Sequence, residues 1–221
     1  QAAHELVTLG EDGGELVRRL DLFGGDLVVV RELVLLGAAG FAVETEAGWV
    51  AYTGDLRFHG RGASGTRRFV EAVAALKPAA LLCEGTRLND PNRITEAEVS
   101  VACLNEVQAA SGQLVVADFA PRNVERLLTF LDIAAETGRR LLVQPKDAYL
   151  LRAMHLADPS SVDPFENPFL GLYDDPRAVE LGWERWVRER YRTKIVAALD
   201  VRKDPGAYLL AFSLTDVPDM L

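Results

Sequence analysis

Two hydrophobic periodicities divide this chain. Up to about residue 60, apolar positions mostly alternate with polar ones, the period-2 pattern of half-buried strands. Residues His4–Leu9, Glu15–Leu22 and Asp26–Val30 read as strands, separated by Gly10–Gly14 and Gly24-Gly25. Arg31–Gly37 is apolar without a clear period. Phe41, Val43 and Thr45 alternate with Ala42 and Glu44, Glu46-Ala-Gly48 supplies a turn, and Trp49–Thr53 is a second β-rich run. Gly54 then lets the backbone turn, which sets Asp55 on a sheet rim. An aspartate there either caps the next segment or serves as a ligand or catalytic group.

Beyond residue 60 the period lengthens. Gly60–Gly65 is a glycine-rich loop, and Phe69, Val70, Val73 and Leu76 share one face of a helix over Thr66–Lys77, stopped by Pro78. Ala79–Cys83 is a short apolar strand, patterned like one covered on both faces, and it delivers Glu84-Gly85. A capping box, Thr95-Glu-Ala-Glu98, opens a helix with Val99, Cys103, Leu104 and Val107 inward. Leu114–Ala117 is a strand ending at Asp118. A helix follows with Pro121 in its first turn, Val124, Leu127, Leu128 and Leu131 inward, and Gly138 at its close. Leu141–Val143 and Lys146–Leu156 are the next strand and helix. This alternation over 66–156 predicts a covered parallel sheet. Residues 158–176, rich in Pro, Asp and Ser, read as a surface excursion. A helix over Pro176–Arg192 carries Val179, Trp183, Trp186 and Val187 at helical spacing, a pattern that favours core positions for the tryptophans. Asp204-Pro-Gly206 is a turn and Ala207–Ser213 a last strand.

With 221 residues, the chain is long enough for one large or two small domains. The boundaries read as 1–90 and 91–221. The formal charge of −9 argues against a general nucleic-acid coat. It leaves room for local basic surfaces, one at Arg57, Arg61, Arg67 and Arg68, another at Arg185, Arg188, Arg190, Arg192 and Lys194. The latter reads first as a solvated helix face and second as a phosphate-facing strip. Cys83 and Cys103 read as small buried residues of a reducing compartment, and a cytoplasmic location is expected. No apolar run approaches the ~18 residues of a membrane span. A start without Met or signal features is expected of a trimmed chain, a processed product or a fragment.

Three histidines, His4, His59 and His155, and no Gly-x-Ser-x-Gly elbow give little basis for a nucleophile triad. No phosphate-binding Gly-x-x-x-x-Gly-Lys-Ser/Thr loop is present. Acids at strand ends remain: Asp55, Glu84 and Asp118, suited to metal binding and proton transfer. Gly37-Ala-Ala-Gly-Phe-Ala-Val-Glu-Thr45 and Tyr52-Thr-Gly-Asp-Leu-Arg-Phe-His-Gly60 resemble the metallo-β-lactamase fold. Leu81-Leu-Cys-Glu-Gly-Thr86 and Asp118-Phe-Ala-Pro-Arg-Asn123, with Arg126 and Gly138-Arg139, are similar to its β-CASP branch, the ribonuclease J-like RNA- and DNA-processing nucleases. The resemblance spans about residues 14–157.

It implies an α/β fold: a metallo-β-lactamase-type sheet portion of antiparallel hairpins (residues 5–60) joined to a covered, largely parallel β-CASP-like region. It implies a zinc-dependent phosphodiester hydrolase acting on single-stranded RNA or DNA with two zinc ions. Asp55 matches the metal-bridging aspartate, and Glu84 the acid that orients a catalytic histidine. Arg122 and Asn123 lie where nucleic-acid phosphate is met. His59 is read as a loop histidine. The family's His-x-His-x-Asp-His run has no counterpart, and Glu32-Leu-Val34 stands where a ligand histidine is usual. The metal motifs are therefore incomplete or degenerate. That leaves a fragment of such a nuclease, inactive alone, or a non-catalytic scaffold of the same fold, as a homo-oligomer or partner subunit. An α/β module binding a small phosphorylated ligand is the third reading.

Overall fold

A computed structural model of the chain describes residues 16–22, 25–31, 40–85, 89, 94–120, 123–164, 166–174 and 181–213. The chain is a mixed α/β protein of two compact units, Gln1–Glu96 and Ala97–Leu221. No helix among the described residues is long and apolar enough to cross a membrane. The expected strand at His4–Leu9 lies outside the described residues.

The first unit holds a five-stranded sheet in the order β1-β2-β3-β4-β5: β1 (Leu16–Leu22), β2 (Gly25–Arg31), β3 (Phe41–Thr45), β4 (Gly48–Tyr52) and β5 (Ala80–Leu82). The β1–β4 neighbours pair antiparallel, as their short connections require, while β5 joins β4 in parallel after the crossover helix α1 (Ala63–Leu76). The β3–β4 hairpin turns through Gly48 at φ +107°, where only glycine is at ease, and Thr45 Oγ1 donates to Gly48 O at 2.7 Å.

Ala42 and Ala51, opposite one another and fully buried, form the floor on which Phe69 and Val73 of α1 pack. Small residues let the helix come close. Gly40 does so most sharply: a Cβ there would sit 2.4 Å from the Phe69 ring. The last glycine of the Gly-Ala-Ala-Gly stretch is thus fixed by helix–sheet packing.

β5 departs from the sequence expectation of a strand covered on both faces. It is an edge strand, and Leu81 and Leu82 are 59% and 52% exposed. An apolar run says that a strand can be buried, but its neighbours decide whether it is. The free cysteine that follows, Cys83, is exposed, against the expectation that it is buried, and Cys103 is half-buried.

The second unit holds a wholly parallel sheet in the order β6-β10-β7-β8-β9: β6 (Val115–Ala117), β10 (Tyr208–Ala211), β7 (Arg140–Val143), β8 (Leu170–Asp174) and β9 (Ile195–Ala197). Its helices are α2 (Glu96–Ala109), α3 (Val124–Thr137), α4 (Pro145–Ala157), α5 (Gly182–Arg190) and α6 (Ala198–Lys203). Successive residues Leu141, Leu142 and Val143 point to alternate faces, and all are fully buried, so both faces of the sheet are covered. Tyr173 and Phe212 meet edge to face at 5.1 Å above Leu142 and Leu210, closed by Val201 of α6.

Part of this sheet contradicts the sequence reading. Residues 158–176, expected as a surface excursion, contain the buried strand β8. Its pattern is masked by Pro and Asp on one side and by Gly171 within it. That glycine answers a packing need, because a Cβ at Gly171 would meet Leu142 Cδ2 at 2.6 Å. β9 and α6 were not foreseen, and the expected helix over 176–192 is described only as Gly182–Arg190.

Candidate functional site

The carboxyl ends of β4 and β5 form the rim that the sequence singles out. Parallel register sets Tyr52 beside Leu82. The Thr53 N–H donates to Leu82 O at 3.1 Å and carries the pairing one step past the strand. Thr53 is buried, and its Oγ1 donates to Gly54 O at 2.8 Å. Gly54, at φ +58°, then swings the chain away. Asp55 follows on β4 and Glu84 on β5, so neighbouring strands deliver both acids to one edge, Asp55 exposed and Glu84 half-buried. Beside them, Arg57 Nη1 pairs with Glu96 Oε1 at 3.1 Å, and the Glu96 N–H donates to His59 Nδ1 at 3.4 Å. His59 thus ties the Asp55 loop to the backbone of Glu96.

The remaining candidates lie in the second unit. Asp118 follows β6 and is exposed. Arg122 lies outside the described residues. Asn123 is the N-cap of α3, its Oδ1 accepting from the Arg126 N–H at 3.1 Å. Arg139, just past Gly138 at φ +70°, is buried. Its Nη1 donates to Gln113 O at 2.9 Å, and its Nη2 donates to Val107 O and Ala110 O at 3.1 and 2.8 Å. A guanidinium at the end of α2 satisfies carbonyls that no helical N–H can reach. Two residues inside the resembling motifs therefore have structural work.

Among the described residues, no group of three or more His, Cys, Asp or Glu is gathered to hold a metal ion. A catalytic zinc takes about three protein ligands. Asp55 offers one carboxylate, so the described residues do not by themselves fit a zinc pair.

A second concave feature was missed at the sequence level. Tyr149, Arg152, Ala153 and Leu156 of α4 face Trp183 and Trp186 of α5 across a cleft of about 370 Å³. Tyr149 stands 5.4 Å from Trp183 and 6.2 Å, edge-on, from Trp186. Trp186 is 44% exposed, against the expectation that it is core, while Trp183 is half-buried; Tyr149 is 46% exposed. The three-residue spacing was visible, but it marks a face without saying what covers it. Beneath the cleft, Asp163 Oδ2 is held by Arg152 Nη1 at 3.2 Å and approached by His155 Nε2 at 3.4 Å. Burial pushes the nearby Tyr191 phenol up, with Asp163 adding to the effect. Burial likewise lowers the Lys194 ammonium, followed by repulsion from Arg140.

No family model and no curated protein matches this chain. Among solved structures, it is similar to a protein of unknown function from Enterococcus faecalis V583, with a TM-score of 0.63 and 18% identity, over 96% of this chain and 44% of that one. That likeness shows the fold alone. The chain spans less than half the length of this neighbour.

Proposed function

We propose that this chain carries part of a phosphodiester-hydrolysing site of the metallo-β-lactamase type, β-CASP branch, acting on single-stranded RNA or DNA. The observation that supports it is the parallel pairing of β4 with β5, which brings Asp55 and Glu84 to one water-accessible rim. In this reading Asp55, as an exposed carboxylate, accepts a proton or positions water, and Glu84 orients a neighbouring group. The described residues alone do not supply the ligands of a zinc pair.

The test is cleavage of end-labelled single-stranded RNA and DNA by the purified chain, with and without added zinc or manganese, alongside metal content. Cleavage that falls at least a hundredfold in both Asp55→Asn and Glu84→Gln supports the reading. A folded protein that cleaves neither substrate with either metal overturns hydrolysis by this chain on its own. That outcome would favour a non-catalytic scaffold of the same fold, a reading supported by Leu33 at the place where a ligand histidine is usual.

A further inference from the structure

We infer that the N-terminus of α1 is a phosphoryl-binding site, built from the backbone of residues 60–64 and the hydroxyl of Thr66. In the β4–α1–β5 crossover the helix runs back against two parallel strands. Its N-terminus therefore lies at their carboxyl edge, the edge that also carries Asp55 and Glu84. A helix N-terminus at that edge is where α/β units take anionic ligands.

The first turn is left open. Its N-cap is Gly62, which has no side chain to bond the helix N–H groups, and no acid stands in the first turn. The Ala63 N–H donates to Gly60 O, and those of Gly65 and Thr66 donate to Gly62 O. The Ser64 N–H between them has no acceptor among the described residues, and Ser64 is exposed. Thr66 decides what the turn is for. It is 1% exposed, and its Oγ1 is buried without a hydrogen-bond partner. A helical side chain leans toward the N-terminus of its own helix. Gly62 O also holds the Thr66 N–H at 3.3 Å, so this hydroxyl lies under the open turn. A buried hydroxyl without a partner is destabilising, and an anion seated at the turn supplies the acceptor.

The sign of the ligand follows from the helix end, which carries about half a positive charge. Residues 56–68 contain no acid to oppose it. Arg57 is spent on Glu96, and Arg67 donates to Phe58 O at 3.3 Å. The N–H groups and the hydroxyl thus carry the binding, and no unpaired cation is needed. The choice of a phosphoryl group over another anion rests on the hydrolase reading, because Asp55 and Glu84 share the edge. The anion site itself does not rest on it.

The full chain is titrated with inorganic phosphate, following backbone amides by two-dimensional proton–nitrogen NMR. Saturable shifts at residues 60–66 are expected. Gly62→Asp puts a carboxylate at the N-cap, where φ of −87° admits it. It caps the helix, so melting should not fall, and it takes the anion's place, so phosphate binding should weaken at least about tenfold. Thr66→Val keeps the shape without the hydroxyl. Its melting temperature should hold or rise while phosphate binding weakens about tenfold. Short oligo(U), with and without a 5′-phosphate, separates the sources: tighter binding of oligo(U) than of inorganic phosphate assigns the site to nucleic acid, and the reverse order assigns it to free phosphate.

No saturable shift at residues 60–66, unchanged phosphate affinity in either folded variant, or a Thr66→Val that melts below the parent overturns the inference. Phosphate binding without cleavage keeps this site and removes hydrolysis by this chain. Cleavage without phosphate binding does the reverse.

Discussion

Strands as apolar as β5 and β7 end in different states in the two sheets. In the second unit, successive residues of β7, β8 and β10 are buried, so both faces of these strands are covered. In the first, α1 covers the face bearing Ala42 and Ala51, while Phe41 and Tyr52, in contact at 5.1 Å, stay 37% and 40% exposed on the other. A strand's composition sets what burial it can accept, and the number of neighbouring elements sets what it receives. Stability should therefore sit in the second sheet, and the first should tolerate change on its open face.

The largest effect is expected where this contrast is sharpest. Leu210→Ala removes a fully buried side chain from the Leu142–Tyr173–Phe212 cluster and should cost about 2–5 kcal/mol. Leu82→Ala, at a site 52% exposed, should cost less than about 1 kcal/mol. Urea unfolding followed by circular dichroism compares them directly. Equal losses would mean that Leu82 is covered in solution, and the contrast between the sheets would fail.

The same contrast explains what could be read from the sequence. The β3–β4 hairpin was legible because alternation and Gly48 are local signals that agree. The helix–strand alternation over 66–156 was legible because α1 and α3 carry their own apolar faces and α3 ends at a terminator, Gly138. β8 was not, because the reason for Gly171 lies in Leu142, far away in sequence. The exposure of β5 was hidden for a related reason, since only the elements beside a strand decide it. At the rim, the order Asp55 and Glu84 could be read, but their placement on adjacent strands needed the parallel register. The aromatic cleft needed two helices to meet.

An intermediate effect tests the covered face of the first sheet. Gly40→Ala puts a Cβ 2.4 Å from Phe69 Cε2, and relieving that overlap should cost about 1–3 kcal/mol. Phe69→Leu in the same chain should recover part of the loss, because the ring is the obstacle. A neutral Gly40→Ala in thermal melts would mean that α1 does not seat tightly on Ala42 and Ala51. The first sheet would then lack even its one packed face.

The smallest effect separates structure from function at Asn123. Its Oδ1 caps α3, so Asn123→Ala should cost about 1 kcal/mol. Asn123→Asp keeps an acceptor at the helix N-terminus and should melt within a degree or two of the parent, helped by the helix dipole. The two variants separate the roles because the aspartate preserves the cap while adding a negative charge. If Asn123 also faces nucleic-acid phosphate, Asn123→Asp must weaken oligo(U) binding with stability intact, by repulsion at a site where the cap is unbroken. If binding is unchanged while Asn123→Ala loses stability, the residue belongs to the well-packed second unit as a cap alone, and its position in the Asp118–Asn123 stretch reflects how α3 begins.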